Sequence, residues 1–186
     1  MDSRHFFRLF ASIVFVIFLL PASPLILDDQ GLESQENAAV EESAEAVVRD
    51  LYAMVTFPVG TTPDWSEFRA LFLPEVVVVL RTSPQATSVF TLEGFIEDWL
   101  RFIEGFNIAE TGFAERIIRT HSTEFGDIAH IWVLYEAEIP GRGRPPQRGV
   151  DSFQLVRRDG QWKIASVLNE LPMPGREIPE VLRGGG

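Results

Sequence analysis

The sequence predicts an α+β domain, with helices packed on one face of a curved antiparallel sheet. Three observations lead there. Apolar residues recur at helical spacing through the first half of the chain. The second half is rich in Val, Ile, Phe and Trp and is punctuated by the two-residue turn signals Gly126-Asp127 and Asp159-Gly160. Helices first and hairpin-linked strands after them favour segregated layers over alternating β-α-β units.

The chain has 186 residues, including 15 Phe and 4 Trp, enough for one domain with an apolar core plus extra segments. A formal net charge of −11 argues against nucleic acid or an anionic membrane surface as partner, because like charges repel. Cysteine is absent, which excludes disulfides, thiolate nucleophiles, Cys-ligated zinc and iron–sulfur sites.

Residues 1–24 open with Arg4, His5 and Arg8, continue through the apolar run Leu9 to Leu20 and finish in Pro21-Ala22-Ser23-Pro24, the pattern of a signal peptide. The chain is expected to be exported, with cleavage near Ala22 or Ser23. Leu25-Ile26-Leu27 extends the run toward the length of a spanning helix, so an uncleaved anchor that attaches the protein to a membrane is the alternative. Residues 25–37 form an acidic linker carrying Asp28, Asp29, Glu33 and Glu36.

The domain proper is placed at 38–171. From Ala38 a helix presents Val40, Ala44, Val47, Val48, Leu51, Tyr52 and Val55 on one side, ending before Pro58. Asp64, with Glu67 three residues on, caps a second helix that buries Trp65, Phe68, Leu71 and Phe72 and stops at Pro74. Val76 to Leu80 reads as a strand and Ser88 to Phe90 as a short one. Thr91 caps a third helix with an aromatic stripe, Leu92, Phe95, Ile96, Trp99, Phe102, Ile103 and Phe106. Strands follow at about 113–125 and 128–139, then the two arms of the Asp159-Gly160 hairpin. The segment 172–186, rich in Pro and Gly, is expected to be a flexible tail.

Turn geometry fixes which side chains share a face. A two-residue turn at Asp159-Gly160 pairs Arg157 with Trp162, Leu155 with Ile164, Phe153 with Ser166 and Asp151 with Leu168. Asp151 is then a carboxylate on an otherwise apolar face. The turn at Gly126-Asp127 pairs Phe125 with Ile128, His121 with Trp132 and Arg119 with Leu134, and places Ala129, Ile131, Val133, Tyr135 and Ala137 inside with Ile118, Thr120 and Ser122. Matching the apolar faces brings Tyr135 beside Phe153 and near Asp151. A one-residue slip would instead unite Asp151 with Glu136, Trp132 and His121.

A phenol and a carboxyl in an apolar cavity are parts of a proton-transfer site, since burial raises the acid's pKa and the phenol can donate to a developing oxyanion. In the slipped register His121 with a carboxylate would do similar work. The candidate catalytic residues are therefore Asp151, Tyr135 and His121. Each has a plainer reading: Asp151 as an acid bonded to strand-end amides, His121 and His130 as side chains of the sheet's outer face, and Trp132 as a contact between two copies. Three scattered His give no metal-ligand spacing, and no phosphate cradle or nucleophile elbow occurs, so neither metal nor cofactor is expected. The loop 140–148, with Arg142, Arg144 and Arg148, is the one basic cluster; it would either attract an anion at a pocket mouth or stay solvated.

The segment Gly149 to Ser166, preceded by Phe125-Gly126-Asp127-Ile128-Ala129-His130-Ile131-Trp132 and Tyr135-Glu136, resembles the end of a nuclear transport factor 2-like domain. Within that superfamily it is most similar to SnoaL-like proteins and to a lumazine-binding-like subgroup. The resemblance covers roughly Ala38 to Leu171. It implies a cone-shaped fold in which N-terminal helices close a curved sheet around a pocket, and a homodimer formed through the sheet's outer face. For function the fold is permissive. The expectation is a binding domain for a small apolar or aromatic molecule, lined by Trp99, Tyr135, Phe153 and Asn169, with Trp132 as a further candidate. The alternatives are a cofactor-free isomerase, cyclase or dehydratase, and a dimeric interaction module.

Overall fold

A computed structural model describes residues 43–184. The expected signal segment, the linker and residues 38–42 of the expected first helix lie outside the described residues. Among the described residues no helix is long and apolar enough to cross a membrane.

Ser43 caps α1 (Ala44–Val55) by accepting from the Ala46 amide, and the helix buries Val47, Val48, Leu51, Tyr52 and Val55. Asp64 caps α2 (Trp65–Ala70) through the amides of Ser66 and Glu67. Thr91 caps α3 (Leu92–Gly105), and a single turn, α4 (Ile108–Thr111), follows a left-handed Asn107. Both expected caps, Asp64 and Thr91, are in place, and Ser43 is one that the sequence reading did not name. Pro74, however, does not end α2. It lies inside β1 (Phe72–Ser83), where the ladder to the neighbouring strand is interrupted between Phe72 and Val77, so its missing N–H breaks no bond.

The remaining strands are β2 (Ala86–Phe90), β3 (Ala114–Phe125), β4 (Ile128–Glu138), β5 (Gln147–Arg158) and β6 (Gln161–Glu170). They form one sheet in the order β2-β1-β6-β5-β4-β3. Every pairing is antiparallel except β1 with β6, which is parallel because α3 and the β3–β5 meander intervene between them. Helices cover the concave face, where Phe68, Val78, Ile96, Ile131, Val133, Phe153 and Ile164 form the main core.

Both predicted turns hold their register. Arg157 pairs with Trp162 across Asp159 (φ +54°) and Gly160 (φ +78°), the mirror-image turn that needs positive φ at both positions. Phe125 pairs with Ile128 and His121 with Trp132 as expected. Two β-bulges then change the pattern further from the turns. Ala165 is an extra residue on β6, so Phe153 faces Val167 rather than Ser166, and Asp151 faces Asn169 rather than Leu168. Ile118 is an extra residue on β3, which turns it outward and brings Ile117 and Glu115 onto the helix side instead.

Between β4 and β5, Ile131 pairs with Phe153, Val133 with Asp151 and Tyr135 with Gly149. Tyr135 thus shares the inner face with Asp151, as expected, but lies one diagonal step from it rather than beside Phe153. The slipped register is not the one adopted. Nor is the tail loose: it closes a short bridge between Met173 and Arg176, enters a 3₁₀ turn at Glu180–Leu182, and buries Leu182 against Leu134 and Val150 on the convex face.

Candidate functional site

Where α1 and α3 rise from the concave face they leave a cavity of about 490 Å³, within the range of small-molecule sites. Its walls are aromatic and aliphatic: Phe95, Trp99 and Phe102 from α3, Phe106 just after it, Phe113 before β3, and Phe153 and Val167 from the sheet. The stripe on α3 fills the core with Ile96 and turns its flank, Trp99 included, to the cavity.

The polar groups converge at one place. Tyr52 Oη on α1 donates to Asp151 Oδ2 at 2.7 Å. Asn169 Nδ2 on β6 donates to Asp151 Oδ1 at 2.7 Å and to Tyr135 Oη at 2.9 Å. Because Tyr135 accepts from Asn169, its own hydrogen is left to point at a ligand. Glu115, at the start of β3, also lines the cavity; its backbone is fixed by Thr56, whose hydroxyl accepts from the Glu115 amide at 2.9 Å and donates to its carbonyl at 2.7 Å. Among the described residues no side chain donates to the Glu115 carboxyl.

Burial sets the electrostatics. Desolvation pushes Asp151 up to about 6, against the pull of its bonds from Asn169 and Tyr52. Desolvation, with the charge of Asp151 added, pushes Glu115 up to about 8. Both tyrosines are raised by burial and by Asp151, so their hydroxyls stay protonated. Near neutral pH the cavity therefore holds an ionised Asp151 among neutral donors.

Gly149 makes this possible. A Cβ there would sit 2.2 Å from the Tyr135 ring, so only glycine lets the phenol lie flat over β5 and reach Asn169.

Of the residues picked from sequence, Asp151, Tyr135, Trp99, Phe153 and Asn169 all line the cavity. His121 and Trp132 do not. They pair with each other on the convex face, His121 exposed and Trp132 packed against the Leu134–Val150–Leu182 cluster, because alternation along β3 and β4 sends them away from the helices. Glu136 is likewise convex, held by Arg116 and Arg148. Sequence reasoning missed two members of the site. Tyr52 was read only as part of an apolar stripe, and Glu115 was hidden by the bulge at Ile118. At the mouth, Arg142 and Arg144 of the basic loop line the opening together with Asp98 and Glu138, and the Arg142 guanidinium donates to the Phe106 carbonyl. Arg148 faces elsewhere. Among the described residues no three His, Asp or Glu side chains are grouped to hold a metal ion.

No protein-family model matches the sequence, and no curated protein is significantly similar to it. Solved structures do match. A nuclear transport factor 2-like protein of unknown function from Pseudomonas putida superposes with a TM-score of 0.56 at 13% identity, over 76% of this chain and 94% of that one. The fold is nuclear transport factor 2-like. A nuclear transport factor 2-like protein with a cystatin-like fold from Novosphingobium aromaticivorans gives 0.52 at 16% identity, over 76% and 92%. A protein of the same organism, provisionally named a scytalone dehydratase, gives 0.52 at 17%, over 69% and 81%. At such identities the likeness carries the fold alone, and the helices and curved sheet of this chain follow that fold.

Proposed function

We propose that this domain is a cofactor-free proton-transfer catalyst for a small, mostly apolar carbonyl compound, an isomerase or dehydratase in type. The observation that carries the reading is the pair of acids in the cavity, both displaced upward and by different amounts. Two carboxyls whose environments separate their titrations divide naturally into a base and an acid. Asp151, ionised above about 6, has lone pairs left after accepting from Tyr52 and Asn169 and removes a proton from carbon beside a carbonyl. Neutral Glu115 and the free hydrogen of Tyr135 donate to the oxygen on which charge develops. A second carbon or a leaving hydroxyl then takes the proton back, giving isomerisation or dehydration. The aromatic wall from Phe95 to Phe106 binds the ligand's apolar body and excludes water.

A binding-only domain shares the cavity but gives no use to Glu115, a carboxyl that lines an otherwise largely apolar cavity with no side-chain donor among the described residues. A relative provisionally named a scytalone dehydratase and another from Shewanella frigidimarina provisionally named a ketosteroid isomerase, at a TM-score of 0.50 and 18% identity, are in keeping with proton-transfer chemistry on this fold. The reading extends outward on sequence: export rests on residues 1–24, the SnoaL-like and lumazine-binding-like affinity on the hairpin. Val77 and Leu168, each 47% exposed, continue the convex face beyond the tail and support association of two copies there.

The test is hydrogen–deuterium exchange. A panel of cyclic and aryl ketones in D₂O, followed by proton NMR, is expected to lose signal at carbons beside the carbonyl with the wild-type protein and at least about 100-fold more slowly with Asp151→Asn. A ketone shown by NMR to bind in the cavity yet exchanging no faster than in buffer would return the domain to the binding-only reading.

A further inference from the structure

Leu134, Val150 and Glu170 form one row across three strands, Leu134 paired with Val150 and Val150 with Glu170. Each adjoins a member of the site in sequence: Tyr135, Asp151 and Asn169. Successive residues of a strand point to opposite faces, so this row is the back of the site, on the convex side.

The segment after β6 grips all three. Leu182, 1% exposed, completes a cluster with Leu134 and Val150, edged by Ile178 and Trp132. Arg176 lies 3.3 Å from the Glu170 carboxylate, which also accepts from the Leu171 amide and from the Arg81 guanidinium. Beyond Leu182, Gly184 rests against Arg119, the residue paired with Leu134 on β3. The tail thus crosses behind β6, β5, β4 and β3 at the level of the acid–base groups.

We infer that the segment 172–184 is a strap that positions the site from behind, with Leu182 as its positioning residue. Its functional meaning rests on the acid–base reading of the cavity. The physical link is short. Hydrogen bonds of 2.7 to 2.9 Å joining Asp151, Asn169 and Tyr135 lose strength over a few tenths of an ångström. Loss of the packing behind β4 and β5 is expected to let their backbones relax by that much. Neither Leu182 nor Arg176 touches the cavity, so the strap acts only through the strands.

The experiment uses the full chain without ligand. In Leu182→Ala, with the far-UV circular dichroism of the wild type retained, the side-chain amide signals of Asn169 are expected to shift or broaden. The carboxyl titration of Asp151 is expected to fall from about 6 toward the ordinary aspartate range as water enters. Val181→Ala, its exposed neighbour, leaves both unchanged. Should Leu182→Ala fail to fold, Leu182→Val is expected to show the same changes at smaller size. A folded variant of either kind with the wild-type Asn169 signals and Asp151 midpoint overturns the strap. These signals need no substrate, so they judge the strap even where every ketone fails to exchange, a failure that counts against the catalytic reading alone.

Discussion

Glu136 on β4 and Asp151 on β5 are carboxylates on adjoining strands, and they stand on opposite faces of the sheet in opposite electrostatic settings. Glu136 receives two guanidinium groups, from Arg116 and Arg148, which hold it below the ordinary glutamate range. Among the described residues Asp151 receives only a phenol and an amide, and desolvation lifts it. A cationic partner locks a carboxylate into one protonation state and gives it a structural role, whereas neutral donors hold its position and leave its proton negotiable. Glu170, pulled down to about 2 by Arg81, belongs with Glu136; Glu115, pushed up to about 8, belongs with Asp151. The two faces of one sheet thus separate the acids that hold the fold from those that can work.

The sharpest way to break this contrast is Asp151→Asn, expected to slow ketone exchange at least about 100-fold while the thermal midpoint holds or rises, because a buried ionisable group is lost. Next in size is Gly149→Ala. The new Cβ would displace the Tyr135 ring from Asn169, at a cost of about 1–3 kcal/mol in denaturant unfolding and with loss of the Tyr135–Asn169 coupling by NMR.

Glu115→Gln tests the acid that has no side-chain donor among the described residues. The folded protein holds the Glu115 proton more tightly than the unfolded chain does, so its stabilisation is complete below the ordinary glutamate pKa and is lost as pH rises through about 8. At about 1.4 kcal/mol per unit, the wild type forfeits on the order of 5 kcal/mol over that interval, and Gln does not. Thermal melts are expected to coincide near pH 4 and to favour Glu115→Gln near pH 9. Catalysis should follow a bell with limbs near 6 and 8, where Asp151 is ionised and Glu115 is still protonated.

Glu136→Gln has the opposite sign. Its folded-state pKa is depressed, so the ion pairs stabilise above the ordinary glutamate range and fade as pH falls through it. The variant is expected to melt below the wild type at neutral pH and to converge with it in acid, with the Asp151 titration untouched. His121→Ala, an exposed change on the convex face, should move stability by less than about 0.5 kcal/mol and exchange not at all.

Much of this architecture was legible in the sequence, and what escaped has a common cause. The Asp64 and Thr91 caps, apolar periodicity and the two tight turns are local signals, and they located three helices, four long strands and the registers nearest each turn. Face assignment by alternation works only until an extra residue is inserted. Ala165 and Ile118 are ordinary strand residues, and neither announces a bulge, yet one carries Asn169 to Asp151 and the other brings Glu115 into the cavity. The Pro and Gly content of the tail suggests looseness, while one fully buried apolar anchor, Leu182, docks it on Leu134 and Val150. Tyr52 was visible as a helix-face residue; its hydroxyl gained meaning only when the fold placed it within 2.7 Å of Asp151, which is 99 residues away in sequence.

The most direct test of the central claim is a carbon-13 carboxyl titration of the full chain by NMR, with Asp151→Asn and Glu115→Gln supplying the assignments. Two midpoints above the ordinary carboxylate range are predicted, near 6 for Asp151 and near 8 for Glu115, with the Glu115 midpoint falling in Asp151→Asn once its charged neighbour is gone. Both groups titrating near 4, independently of one another, would contradict an acid–base pair in this cavity.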